Sequence, residues 1–313
     1  MLLQRQSVSS ALGLKKNKEV FDDMKTPVID IHAHPWLFEE VCTTEEQEAF
    51  VIDMTGLYKS GSFPAEEHFI QMDYNGVDKC VLLPLDLTTT HGGSLGTNEQ
   101  VHAIQNAYPD RFIGFASVDP FRDDACDVLE HAFGTLKLSG LKLHPGKQRF
   151  YPSDETLEPI WQICEKYNKP VMFHAGMSVE PYTLSKYSHP MEFEELAYNH
   201  PNLRICLAHM AWPWVKEACM LMLKYGNVFA DTACLYFDSA REFYDQVLTK
   251  DIPITWVDRG LRHQILFGTN DPRLESIRMK KALEELPLRP STKELIMGGN
   301  ALVFLGLEEY TRD

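Results

Sequence analysis

The sequence has no run of about 18 apolar residues, the length a membrane-spanning helix needs. It also lacks a Gly-x-Gly-x-x-Gly after its first apolar segment, which disfavours a dinucleotide-binding oxidoreductase. Cysteines are few and scattered. The closest two of the seven, Cys206 and Cys219, stand 13 residues apart, too far for a CxxC metal knuckle, and an odd number cannot pair completely. That usage fits a reducing compartment, so a cytoplasmic protein is expected. Positive charge is scarce as well: 30 Lys and Arg against 45 Asp and Glu leave a net −15. Such a surface repels phosphate backbones and anionic lipid, so neither nucleic acid nor a membrane is expected as a partner. Biased tracts, internal repeats and linker-like segments are missing too, and 313 residues with 44% hydrophobic content can build one large core.

Acidic residues are absent from the first 18 positions, which carry Arg5, Lys15, Lys16 and Lys18. One arginine and a short apolar stretch argue against a transit peptide. Residues 1–26 therefore read as an N-terminal arm, and 27–313 as a single domain. Within it, short apolar runs at 28–33, 80–85, 112–118, 140–144, 170–175, 203–209, 227–232 and 264–270 alternate with longer amphipathic stretches. Parallel neighbours need a crossover, so this alternation implies a parallel sheet, and eight units imply a closed (β/α)8 TIM barrel. An insertion at about 35–63 separates the first strand from its helix. A long loop on the catalytic rim is usually functional or a lid. Gly298-Gly299 interrupts the last helical pattern and marks a break or a close contact.

The histidines carry the chemistry. In Ile29-Asp30-Ile31-His32-Ala33-His34, alternation puts His32 and His34 on one side of the strand, roughly 7 Å apart at their roots. At the carboxyl end of a barrel strand that side faces the catalytic mouth. His174 ends the fifth run, His209 the sixth, and Lys142 and His144 the fourth. One histidine at a strand end is usually a hydrogen-bonded structural residue. Five imidazoles ending four strands are hard to explain that way. His32, His34 and His174 are the candidate ligands of one divalent ion, with His209 beside it as acid or base. Neutral imidazoles suit Zn2+, and an open coordination position activates bound water.

An ordered set of landmarks then resembles a known family. It comprises the His-Ala-His segment, Gly140-Leu141-Lys142-Leu143-His144-Pro145, Pro170-Val171-Met172-Phe173-His174-Ala175-Gly176, the stretch ending Ala208-His209, and Leu266-Phe267-Gly268-Thr269-Asn270-Asp271-Pro272. The chain resembles the amidohydrolase superfamily, in the amidohydrolase-related branch that includes aminocarboxymuconate-semialdehyde decarboxylase and both lactone and amide hydrolases. The resemblance implies one metal, usually zinc with Mn2+ as the second candidate, held by His32, His34 and His174, and a catalytic His209. It also implies a carboxylate after the eighth strand that ligates the metal and takes a proton from water. Here the sequence departs, because gap-free placement and strand parity put Asn270 at that position. Either a bulge re-aims Asp271 into the site, as ligand and catalytic group, or Asn270 is a neutral oxygen ligand. Members of the family often dimerise, so a homodimer is expected.

Trp36, Trp212, Arg273, Lys142 and His144 are the candidate substrate contacts, since aromatic walls with a few cations suit a planar or cyclic acid. The leading expectation is hydrolysis of a small cyclic or aromatic ester, lactone or amide by metal-activated water. The alternative is non-oxidative decarboxylation of an aromatic or unsaturated acid, in which the metal holds the substrate's oxygens. A metal-binding barrel without catalysis is the third.

Overall fold

Every one of the eight apolar runs contains a strand. They are β1 (Ile29–Ala33), β2 (Lys79–Leu82), β3 (Phe112–Gly114, continued past Phe115 by Ala116–Ser117), β4 (Leu141–Leu143), β5 (Val171–Phe173), β6 (Ile205–Leu207), β7 (Val228–Asp231) and β8 (Ile265–Leu266). The computed structural model describes residues 26–57, 61–233 and 237–307. The proposed arm, apart from Thr26, lies outside them. Consecutive strands pair in parallel from β1 to β8. Backbone bonds from Ile31 N–H to the Phe267 carbonyl (2.9 Å) and from Asn270 N–H to the His32 carbonyl (2.8 Å) join the last strand to the first. The fold is an α/β TIM barrel.

Side-chain alternation sorts the strands into a jacket and a lumen. Leu141, Leu143, Val171, Phe173, Ile205, Leu207, Val228 and Ala230 face the surrounding helices, in one continuous core. The lumen is layered. Its lower part packs Ile29, Ile31, Val81, Phe115, Met172, Cys206, Phe229 and Leu266 against Phe304 of the last helix, which closes the bottom. Above it the inward rows turn polar, with Lys142 level with Met172 and with His144, His174, Asp231 and Asn270 higher.

The first strand does not keep strict alternation. Ile31 belongs to the apolar lumen, yet His32, its neighbour, also faces the cavity above. A register shift between Asp30 and Ala33 against β2 resolves this, because a bulge spends one extra residue and resets which side chains point inward. His32 and His34 share the inward side, as the sequence implied. The bulge itself had no sequence signal.

The rim insertion contains a helix, α1 (Glu45–Thr55). Thr44 caps it by accepting the Gln47 N–H, and Glu45, Glu46 and Glu48 complement the positive end of its dipole. It stops at Gly56, whose φ of +72° suits a residue without a side chain. A second helix, α2 (Ala65–Asn75), follows.

The Gly298-Gly299 pair resolves as a close contact. A Cβ on Gly298 would stand 1.7 Å from the Pro27 carbonyl oxygen, whereas the tightest neighbour of one on Gly299 would be the flexible end of Leu295 at 3.3 Å. Gly298→Ala is therefore expected to lower stability by about 1–3 kcal/mol, as overpacking does, and Gly299→Ala by clearly less. Denaturant unfolding of the two variants checks this, and equal losses would contradict the contact.

Candidate active site

Two imidazoles at the top of β1 define the site. His32 donates Nδ1–H to Asp231 Oδ2 at 2.8 Å, and His34 donates Nδ1–H to the Leu83 carbonyl at 3.0 Å. A carbonyl can only accept. Asp231, whose other oxygen already takes the N–H groups of His209 and Ala233, does the same. Each ring therefore keeps a lone pair on Nε2, and these two atoms face each other at 3.2 Å. Neither ring readily takes a proton to relieve the contact, because burial holds both well below the ordinary histidine value. Asn270 Oδ1, a third acceptor, stands 3.2 Å from His34 Nε2.

Three acceptor atoms pressed together in a buried mouth are what a divalent cation satisfies. His174 adds a fourth: its Nε2 is buried and has no hydrogen-bond partner among the described residues. The donor set, imidazole nitrogen with amide oxygen and no thiolate, fits zinc or manganese chemistry. His32, His209 and Asp231 also bring ligand-type atoms within 4.8 Å of one another. The mouth is a divalent metal site. Asp231 spends Oδ1 on two backbone N–H groups and Oδ2 on His32, and the latter bond fixes that ring's tautomer and direction.

His174 and His209 complete the ring. His174 stacks on His144 with centroids 3.9 Å apart, and His209 lies 4.9 Å from His32 and 5.0 Å from His174. His144 Nδ1 accepts the Lys147 N–H, which puts the His144 proton on Nε2. His209 donates Nδ1–H to the Ala233 carbonyl at 2.9 Å, which leaves a lone pair on its Nε2. Burial pushes His209 down to about 3, so the ring is neutral at ordinary pH. Its backbone has a φ of +61°, and Met210 and Ala211 follow at +50° each. Three consecutive residues with side chains in this region cost of order 1–3 kcal/mol apiece. The bond from His209 N–H to Asp231 helps hold the turn that aims the ring inward. Lys142, fully buried on β4, is lowered to about 8 by burial.

The outer mouth is aromatic and charged. Trp36 stacks on His34 at 3.6 Å, nearly parallel, and the Arg273 guanidinium lies 5.7 Å above its ring. Lys147 and Arg273 line the cavity together with Glu180 and Ser178.

Two expected site residues are elsewhere. Asp271 does not line the cavity: its Oδ1 lies 3.6 Å from His68 Nδ1, and burial raises the carboxyl to about 8. Asn270 (φ +65°) continues the inward row of Leu266 and Gly268, so the next side chain must leave it. Trp212 is also absent from the lining. It packs edge-on against Phe237 at 5.4 Å on the rim. Sequence reasoning passed over Asp231 and Glu180. The first had a readable signal, an acid ending an otherwise apolar strand; the second sits in an irregular loop and had none.

The profile of the amidohydrolase family matches residues 29–307. A 6-methylsalicylic acid decarboxylase from Penicillium expansum is 26% identical over 246 residues, spanning 69% of this chain and 76% of that protein. Among solved structures, an uncharacterised TIM-barrel protein from Bordetella bronchiseptica superposes with a TM-score of 0.69 at 22% identity, covering 90% of this chain and 99% of that one. A dihydroxybenzoic acid decarboxylase from Polaromonas sp. JS666, solved with bound manganese and the inhibitor 2-nitroresorcinol, superposes at 0.62 with 16% identity, covering 91% and 98%. These two structural likenesses speak for the fold.

The geometry separates neighbouring side chains by their effect on metal content. Asp231→Asn should weaken metal affinity about 10–100-fold, as loss of an orienting partner does. Asn270→Ala should weaken it as well, and Asp271→Ala should leave it unchanged. Chelator competition with elemental analysis measures all three, and metal loss in the Asp271 variant alone would refute this arrangement.

Proposed function

This chain belongs to the amidohydrolase family, and from that premise we propose that it is a metal-dependent, non-oxidative decarboxylase of a small aromatic hydroxy acid. The observation that carries the reading is the composition of the mouth. Among the described residues, Lys142, Lys147 and Arg273 line it against a single acid, Glu180, which is itself paired with two of those cations. An anionic substrate is favoured there. The carboxylate that hydrolysis would call on is turned away with Asp271, and Asn270, which replaces it, cannot accept a proton from water. Hydrolysis thus gives way to the second reading of the sequence. The 6-methylsalicylic acid decarboxylase similar over most of this chain supports the same choice.

In this reading His32, His34, His174 and Asn270 hold one divalent ion, Mn2+ or Zn2+. When bound, it supplies Lewis-acid polarisation of the substrate's oxygens. Trp36 gives the ring a flat apolar wall, and the His144 Nε2–H is a fixed donor toward the acid's oxygens. His209 moves the proton. Neutral at the outset, its Nε2 takes the proton of the hydroxyl beside the carboxylate and delivers it to the ring carbon that bears the carboxylate. The bond from that carbon to the carboxyl group then breaks. Its electron pair returns to the ring as CO2 leaves, and the resulting phenolate takes a proton from solvent.

Metal-loaded protein should release CO2 from 6-methylsalicylate or a related hydroxybenzoate. His209→Ala should lower kcat by about 10²–10⁴-fold, the contribution of a positioned acid–base group, with its metal content unchanged. Hydrolysis of a lactone or amide without any CO2 release from such acids would overturn the proposal.

A further inference from the structure

Glu180 is the only acidic side chain among the described residues lining the cavity. Its Oε1 lies 3.2 Å from Lys147 Nζ and 3.8 Å from the Arg273 guanidinium, and its Oε2 accepts the Ser178 hydroxyl at 2.6 Å. Both cations are anchored independently. Lys147 Nζ donates to the Met54 carbonyl (2.8 Å) and Arg273 to the Thr55 carbonyl (2.7 Å), at the C-terminal end of α1. That end of a helix carries partial negative charge and holds cations in place. Tyr182 reaches the same Met54 carbonyl at 3.0 Å, so three loops of the rim meet on α1. The side chains of Lys147 and Glu180 are 4% and 16% exposed, which puts their charges largely out of water's screening.

Two fixed cations with a carboxylate between them form an anion site that the chain itself already fills. We propose that Glu180 is a specificity-determining residue: it occupies a second anion subsite at the outer mouth and restricts the cavity to aromatic acids bearing one carboxylate. The proposal rests on the reading of the mouth as an aromatic-acid site and names the substrate class more closely. A substrate's reacting carboxylate goes inward, toward the imidazoles and Lys142. A neutral group on its outer edge fits beside Glu180. A second carboxylate there meets a like charge whose counter-ions are taken, and like charges at such range in a partly dry site repel strongly. Burial opposes the charge on Glu180, yet Lys147 beside it keeps the carboxyl below its ordinary value, so the blocking charge persists.

Isothermal titration of the metal-loaded protein at pH 7 tests this with two probes of nearly equal shape, 3-carbamoylbenzoate and isophthalate. The wild type should bind the monoanionic amide at least about tenfold more tightly than the dianion, a difference of about 1.4 kcal/mol. Glu180→Gln should erase or invert that preference, and Glu180→Asp should retain it. No preference in the wild type, a measurement that needs no variant, would overturn the proposal. So would a preference that survives in a folded Glu180→Gln protein, or binding of neither acid. Binding is read without turnover, so the two ideas fail separately. The expected binding pattern without CO2 release sinks the decarboxylase and leaves Glu180 its role. Decarboxylation with an unchanged preference does the reverse.

Discussion

At the mouth of the barrel two imidazole nitrogens face each other at 3.2 Å with no proton to share. Much else in the upper structure serves to hold them there. Asp231 and the Leu83 carbonyl fix the tautomers from behind. A bulge in β1 brings His32 inward directly after Ile31. Gly268 is required because a Cβ at that position would stand 2.9 Å from the His32 Cβ. Asp231 also holds the left-handed turn at His209, so one buried carboxylate aligns two of the imidazoles that face the cavity. Such an arrangement is unfavourable by itself. A cation relieves it, and binding to the folded state alone then stabilises the fold by linkage.

The division of the lumen explains why the site is both rigid and reactive. Below, apolar side chains from the strands pack together with Phe304. Above, the same inward rows carry imidazole, ammonium, carboxylate and amide groups, nearly all buried. In that setting electrostatics are strengthened, and burial lowers the basicity of the imidazoles and of the Lys142 amine while it raises the Asp231 carboxyl. The neutral rings therefore remain available as ligands or proton acceptors at ordinary pH.

Much of this was legible in the sequence. Strands in a doubly covered barrel read as apolar runs because both faces are buried, and each run ends where its inward row turns polar; His174 and Asn270 follow directly from that rule. What the sequence hid has physical causes. A one-residue bulge leaves no trace in composition, so the parity that put His32 inward held for a reason alternation alone does not contain. The rim residue Trp212 could be placed near the mouth but not aimed, since loop side chains have no period. The choice between hydrolysis and decarboxylation was equally hidden, because both use the same imidazoles. The proposal made between them rests on where a single carboxylate, Asp271, points.

One feature of the mouth also makes the site visible. Trp36 lies flat on His34 at 3.6 Å, with its indole N–H buried and without a partner among the described residues. The excited state of an indole is sensitive to charge appearing at contact distance. Any event that changes the electron demand on His34 changes the emission of this one tryptophan out of five. The enzyme thus carries its own optical gauge of the site, built into the cavity wall.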